Sequence, residues 1–294
     1  MDARIKSGHD GGDIEMTQKK HKPAKAAEKT HQMRILITND DGIEAPGLDV
    51  LEKIATDLTD YVWVVAPETD NSGASHSLTL AEPLRMRELA KRRFAVKGTP
   101  TDCVIMGVRY LLKDDPPDLV LSGVNRGQNL ADDVNYSGTV AGAIEGSLLG
   151  VPSIALSLAI GSYDSGVPAW DTPMVHGADL VRKLLDAGWP ESTVLNVNFP
   201  DCEPNQVKGM AATVQGLRDT ALLDIDARSD VRGKAYYWIG IAKRGSNPPE
   251  GTDLWAVRQK LISVTPLCLD FTDRDTLDEL AAVLDKTALG KKDK

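Results

Sequence analysis

Short runs of apolar and β-branched residues alternate along this chain with longer stretches whose apolar positions recur three and four residues apart. Arg34–Thr38 (RILIT) is predicted as a strand. Ala45–Leu58 (APGLDVLEKIATDL) has helical spacing, with Pro46 where a first turn tolerates proline. Tyr61–Ala66 (YVWVVA), Asp118–Ser122 (DLVLS), Ser153–Ser157 (SIALS) and Thr193–Asn198 (TVLNVN) read as further strands. Thr99–Leu112, with Thr99 or Thr101 as cap, a stretch near Tyr136–Leu149, and Pro173–Ala187 read as helices. Leu78–Arg87 and Arg93–Lys97 alternate with period two and predict a two-stranded excursion. Continuous apolar strands separated by helices indicate an α/β fold, a mainly parallel sheet covered on both faces.

After Asn198-Phe199-Pro200 the rhythm changes. Residues 201–251 are rich in turn formers and charge, with strand-like pieces at Met210–Gln215 and Tyr236–Ile241. A short helical stretch from Asp253, a strand at Leu261–Pro266 and an amphipathic helix near Thr276–Leu289 follow. Residues 201–294 are expected to pack on the sheet or to reach toward another subunit. At the other end, residues 1–32 lack apolar periodicity and an apolar signal core, so a disordered extension is expected there, with the folded unit spanning 33–294.

Composition narrows the function. The net charge is −9, and residues 1–32 hold seven basic and five acidic residues, so the body carries about −11. Such a surface disfavours gripping a nucleic acid polymer through its phosphates. No apolar run approaches the ~20 residues of a membrane span. Three scattered cysteines without a CxxC exclude a zinc ribbon or disulfide scaffold and suit a reducing, cytoplasmic setting. Beyond residue 32 only His76 and His176 remain, which excludes chemistry built on histidine clusters.

In open parallel sheets, ligands bind beyond the carboxyl ends of the strands. The first strand leads into Asn39-Asp40-Asp41-Gly42, the second into Asp70-Asn71-Ser72-Gly73-Ala74-Ser75-His76, and the Asp118–Ser122 strand into Gly123-Val124-Asn125-Arg126. These turns carry oxygen donors and neither cysteine nor a histidine pair, which suits a hard cation such as Mg²⁺ or Mn²⁺ over Zn²⁺. The plainer alternative makes Asp41 a helix cap and Asp40 a solvated turn residue. Against it, adjacent carboxylates repel unless a cation intervenes. Asn135-Tyr136-Ser137-Gly138-Thr139 opens a helix of small residues, a place for a phosphate or simply an N-cap with close packing. The first strand is not followed by the D-x-D of haloacid-dehalogenase phosphatases, since Gly42 stands two residues after Asp40, and G-x-G-x-x-G, the NTPase phosphate loop and G-x-S-x-G are absent. His76 reads as an acid or an incidental loop residue, and His176 as structural.

On ILITNDDGIEAPG (35–47), VVAPETDNSGASHSLTL (64–80), KGTPTDCV (97–104), PDLVLSGVNRGQNLADDVNYSGTVAGAIEG (117–146), LNVNFP (195–200) and ISVTPL (262–267), the sequence resembles the SurE family of 5′/3′-nucleotidases. The resemblance covers Met33 to about Asp270. It implies a Rossmann-like α/β/α sandwich and a phosphatase that hydrolyses nucleoside 5′- and 3′-monophosphates. Main use of polyphosphate, or nucleotide binding without turnover, are the alternatives. It further implies one divalent cation (Mg²⁺ or Mn²⁺) per subunit on Asp40, Asp41, Ser72 and Asn125, and a homodimer or homotetramer exchanging C-terminal segments. Asp40, Asp41 and Asn39 would then serve catalysis, with Gly73, Ser137, Gly138 and Thr139 holding the phosphate. Many members carry an arginine directly before the Ser-Gly turn; this chain has Asn71, which leaves Arg126 to supply a cation.

Overall fold

The computed structural model describes residues 32–161, 168–218, 223–241 and 247–284. Residues 1–31 of the expected N-terminal extension and residues 285–289 of the predicted last helix therefore lie outside the described residues. Strands β1 (Ile35–Thr38), β2 (Val62–Pro67), β5 (Leu119–Arg126), β6 (Ser153–Leu158) and β7 (Thr193–Phe199) form a parallel centre. Strands β3 (Arg85–Ala90) and β4 (Arg93–Lys97) extend one edge; β8 (Gly209–Ala212) and β11 (Leu261–Cys268) extend the other. The resulting order is β3-β4-β2-β1-β5-β6-β7-β11-β8.

The layers follow from the strand repeat of two. Ile35 and Ile37 face one side of the sheet, under α1 (Pro46–Thr56) and α4 (Asp171–Ala187), whereas Leu36 faces the other with Val65, Val104 and Val120. On that second side lie α2 (Pro100–Ile105) and α3 (Gly138–Leu148), where Val140 and Ala143 meet Ala155 and Val194. A run such as Ile-Leu-Ile is wholly apolar because each face of the sheet has its own core.

Three differences from the predicted elements have physical reasons. The pattern over 78–97 suggested a separate pair, yet β4 lies parallel to β2 and belongs to the main sheet, and the strand preceding it begins only at Arg85. The predicted Thr99–Leu112 helix is capped by Thr99 in a reciprocal box with Asp102, then widens into a π-helical turn at Met106–Leu111 that seats Gly107 against Leu36. Strand β9 (Leu223–Ser229, LDIDARS), within the stretch rich in turn formers and charge, pairs antiparallel with β10 (Ala235–Ile241) in an exposed ribbon, where its aspartates can stay solvated.

The C-terminal region is structurally part of the sheet. Strand β11 pairs antiparallel with β7, and β8 pairs parallel with β11. Helix α5 (Asp253–Arg258), capped by Thr252, packs beside them, and α6 (Arg274–Leu284) ends the described chain. Among the described residues no helix is long and apolar enough to cross a membrane.

Candidate active site at the strand ends

The turn after β1 is held by its own polar groups. Asn39 is fully buried and donates through Nδ2 to the Gly42 carbonyl at 2.8 Å, while Ile43 N–H reaches the Pro67 carbonyl at the end of β2 at 2.8 Å. Gly42 has φ +104°, a conformation costly for any residue with a Cβ. Helix α1 starts later, with Ala45 at its N-cap and no side-chain capping bond. Asp41 is therefore not a helix cap, and the plainer reading of the aspartate pair loses its main support.

Asp40 is only 4% exposed. Burial pushes its carboxyl up to about 6 from 3.8; Asp41 and Asp70 add to that rise, and the Thr139 hydroxyl, donating to Oδ1 at 2.5 Å, opposes it. The Asp41 carboxyl is raised as well, first by burial and then by Asp70, against the Arg126 backbone N–H, which donates to Oδ2 at 3.0 Å. These are negative charges gathered without full compensation.

The loops after β2 and β5 close on this pair. Asn71 N–H donates to the Asp40 carbonyl at 2.8 Å, placing the Ser-Gly turn beside the first turn. The Ser72 hydroxyl donates to Asp70 Oδ1 at 2.6 Å, and Gly73 has φ +77° with no neighbour near enough to obstruct a side chain. Ser75 donates to the Asn135 carbonyl at 2.8 Å, and His76 Nε2 meets Glu145 Oε2 at 2.9 Å. His76 thus ties this loop to the flank of α3. His176 touches the Pro204 carbonyl at 3.0 Å, a structural position. Asn125 uses Nδ2 on the Gly127 carbonyl at 2.9 Å, leaving its amide oxygen as an acceptor.

Helix α3 meets Asp40 directly. Glycines 138, 142 and 146 share one stripe, and a Cβ at these positions would come within 2.8 Å of Asp40 Cβ, 2.8 Å of Ser122 Oγ and 2.4 Å of Ser153 Oγ respectively. Helix and sheet are therefore closer than larger residues would permit, and the helix start rests on the carboxylate. Ser137 Oγ accepts the Val140 N–H at 3.0 Å and Thr139 Oγ1 is committed to Asp40. What remains for an anion is the Ser137 hydroxyl proton together with the first N–H groups of the helix, which have no partner within it.

The donor set fits a hard divalent cation. From other described residues, Oδ2 of Asp40 and Oδ1 of Asp41 receive no hydrogen bond, and both carboxyls are raised by desolvation and by neighbouring carboxylates, Asp70 for both and Asp41 for Asp40, which a cation would offset. Among the described residues no group of three or more His, Cys, Asp and Glu is placed to hold a metal, so neutral oxygens would have to complete the shell.

Some contributors were not singled out from sequence. Asp70 adds charge to both aspartates and orients Ser72; its position two residues before the serine was the available signal. Asn129, Asn196 and Asn198 form a buried network, with Asn129 Nδ2 donating to Ser157 Oγ at 2.8 Å and Asn196 Nδ2 to the Asn129 carbonyl at 2.7 Å. Two asparagines spaced two apart in an apolar strand share a face, which marks them in retrospect. Asp253 of α5 accepts the Ala131 N–H at 2.8 Å, fastening the C-terminal region to the loop before α3.

Comparison with known proteins matches this chain to one family. A family model described as "Survival protein SurE" matches residues 35–221. A protein of Methylobacterium sp. (strain 4-46) named "5′-nucleotidase SurE" is 60% identical over 252 residues, 86% of this chain and 100% of the relative. One of the same name from Parvibaculum lavamentivorans is 53% identical over 267 residues, 91% of this chain and 96% of the relative. The crystal structure of the SurE protein from Aquifex aeolicus superposes with a TM-score of 0.75 at 42% identity, covering 86% of this chain and all of that one.

Proposed function

The chain belongs to the SurE family, and from that footing we propose that it is a nucleotidase that removes phosphate from nucleoside 5′- and 3′-monophosphates with the help of a divalent cation. The observation that carries the reading is the Asp40–Asp41 pair, raised by burial and abutted by the start of α3. Asp40, Asp41, the Ser72 hydroxyl oxygen and the Asn125 amide oxygen are the residues that would hold the cation, Mg²⁺ or Mn²⁺. When bound, such an ion supplies Lewis acidity toward a phosphoryl oxygen and lowers the pKa of water.

The chain's own residues do the rest. Thr139 fixes one oxygen of Asp40 and keeps its carboxyl from rising further. Asp70 accepts the Ser72 hydroxyl hydrogen bond, so the serine oxygen is left with lone pairs to offer. The N–H groups of Gly138 and Thr139, with the Ser137 hydroxyl and the Gly73 amide, receive phosphoryl oxygens as charge builds in the transition state. Asn39 stiffens the turn that aims both aspartates, and so acts by positioning.

The segment 201–294 serves assembly as well as the sheet in this reading. On β10, Tyr237, Trp238 and Ile239 are 60–71% exposed, an apolar ribbon surface that supports a homodimer or homotetramer. Free Cys103, Cys202 and Cys268 support a cytoplasmic setting. The experiment is phosphate release from AMP with Mg²⁺ or Mn²⁺, before and after EDTA. Activity lost on chelation, restored by metal and abolished by Asp40→Ala is the expected result. Activity surviving both chelation and the substitution would overturn the proposal.

A further inference from the structure

Asp40, Asp41 and Asp70 place negative charge where a phosphate dianion has to arrive. One divalent cation leaves little attraction for the substrate, so a cationic side chain near the mouth has a task. Position 71 does not provide it: Asn71 is neutral, and its Nδ2 donates to the Thr69 carbonyl at 2.8 Å. Arg218 does not provide it either, being committed to Asp133 at 2.5 Å.

Arg126 is placed differently. It ends β5 directly after Asn125, and its backbone is fixed by its own N–H on Asp41 and by the Gly127 N–H on the Leu158 carbonyl at 3.0 Å. Its side chain is exposed, and the guanidinium makes no hydrogen bond or ion pair with another described residue. Its backbone N–H on Asp41 Oδ2 at 3.0 Å roots an exposed cation beside the aspartate pair, with a donor fork shaped for two oxygens of one phosphoryl group.

Resting on the nucleotidase reading above, we infer that Arg126 is a phosphate-binding residue that grips the reacting phosphoryl group and, by the same charge, weakens cation binding at Asp40 and Asp41. The two effects have opposite signs, and a merely structural role would not produce that pair. Removing the guanidinium takes away an attraction for the anion and a repulsion for the metal. Damage to the turn would weaken both.

The test is Arg126→Ala, with Arg126→Lys beside it, on the full chain. For Arg126→Ala, the KM for AMP and the inhibition constant of inorganic phosphate are each expected to rise about 10-fold, with kcat changed less than about 3-fold. Mn²⁺ binding without substrate, measured by calorimetry, is expected to tighten about 2- to 5-fold. Arg126→Lys keeps a point charge and loses the fork, so its Mn²⁺ affinity stays at wild type while KM rises by an intermediate factor. An unchanged KM overturns the inference, and so does Mn²⁺ binding that weakens together with AMP. Wild-type protein that releases no phosphate from AMP strikes the nucleotidase reading instead, and the calorimetric titrations of Mn²⁺ and inorganic phosphate still decide the role of Arg126.

Discussion

Replacing Asp40 by asparagine is expected to abolish activity and, without metal, to make the folded chain more stable at neutral pH. The Asp40 carboxyl stands at about 6 in the fold against 3.8 when unconstrained, because burial disfavours the charged form. The folded state therefore binds the proton more tightly than the unfolded state. This group contributes nothing unfavourable below about pH 4; its penalty grows as pH rises from 3.8 through 6 and is complete above. The difference corresponds to about 3 kcal/mol at pH 8. Asparagine keeps an acceptor for the Thr139 hydroxyl and removes the charge, and Asp41 loses its like-charged neighbour. At about 2 °C per kcal/mol for a chain this long, the Tm in EDTA at pH 8 should rise by roughly 5 °C, while at pH 4 the two proteins should melt together. Added Mn²⁺ should stabilise wild type and leave the variant nearly unmoved. The assay is thermal unfolding in EDTA across pH 4–8, repeated with Mn²⁺. A variant less stable than wild type at pH 8 in EDTA would refute the reasoning, since Asp40 would then be held by favourable native interactions.

Two further substitutions test the contact between α3 and the first turn. Gly138→Ala adds a Cβ 2.8 Å from Asp40 Cβ, so the carboxylate or the helix must shift; displacement of this order is expected to cost about 100-fold in kcat/KM, while Gly240→Ala, whose Cβ meets nothing within 4 Å, should leave activity intact. Steady-state kinetics of both, with circular dichroism to confirm folding, checks this. Thr139→Val removes a hydrogen bond that lowers the Asp40 carboxyl. The acid limb of Mn²⁺ binding should then move up by about one pH unit, read by calorimetry from pH 5 to 8.

Much of this fold was legible because its cores are local in sequence. Each central strand is a short apolar run and each flanking helix an amphipathic or small-residue stretch, so element order and a sheet covered on both faces followed from periodicity. The ribbon strand Leu223–Ser229 was not legible, because its alternating aspartates mimic a loop and its partner lies beyond a turn. Nor was the insertion of Leu261–Cys268 beside β7, since no local pattern states which edge of a sheet a late strand will join.

The site divides along the same line. Which chemical groups stand at the strand ends is legible in the residues alone: paired aspartates, a Ser-Gly turn, a Ser-Gly-Val-Asn turn and a Ser-Gly-Thr helix start. Residue identity and the rule that parallel strands end on one side suffice for that much. What those groups do to one another is set by the packing of the fold. The tertiary structure shows Asp41 away from the α1 cap, Thr139 holding Asp40, Gly138 allowing the helix to touch that carboxylate, and Asp70 adding charge from another loop. Such effects depend on burial and on distances between residues as much as 99 positions apart. Burial and distance set whether a carboxylate is a solvated turn residue or a desolvated charge with a raised pKa.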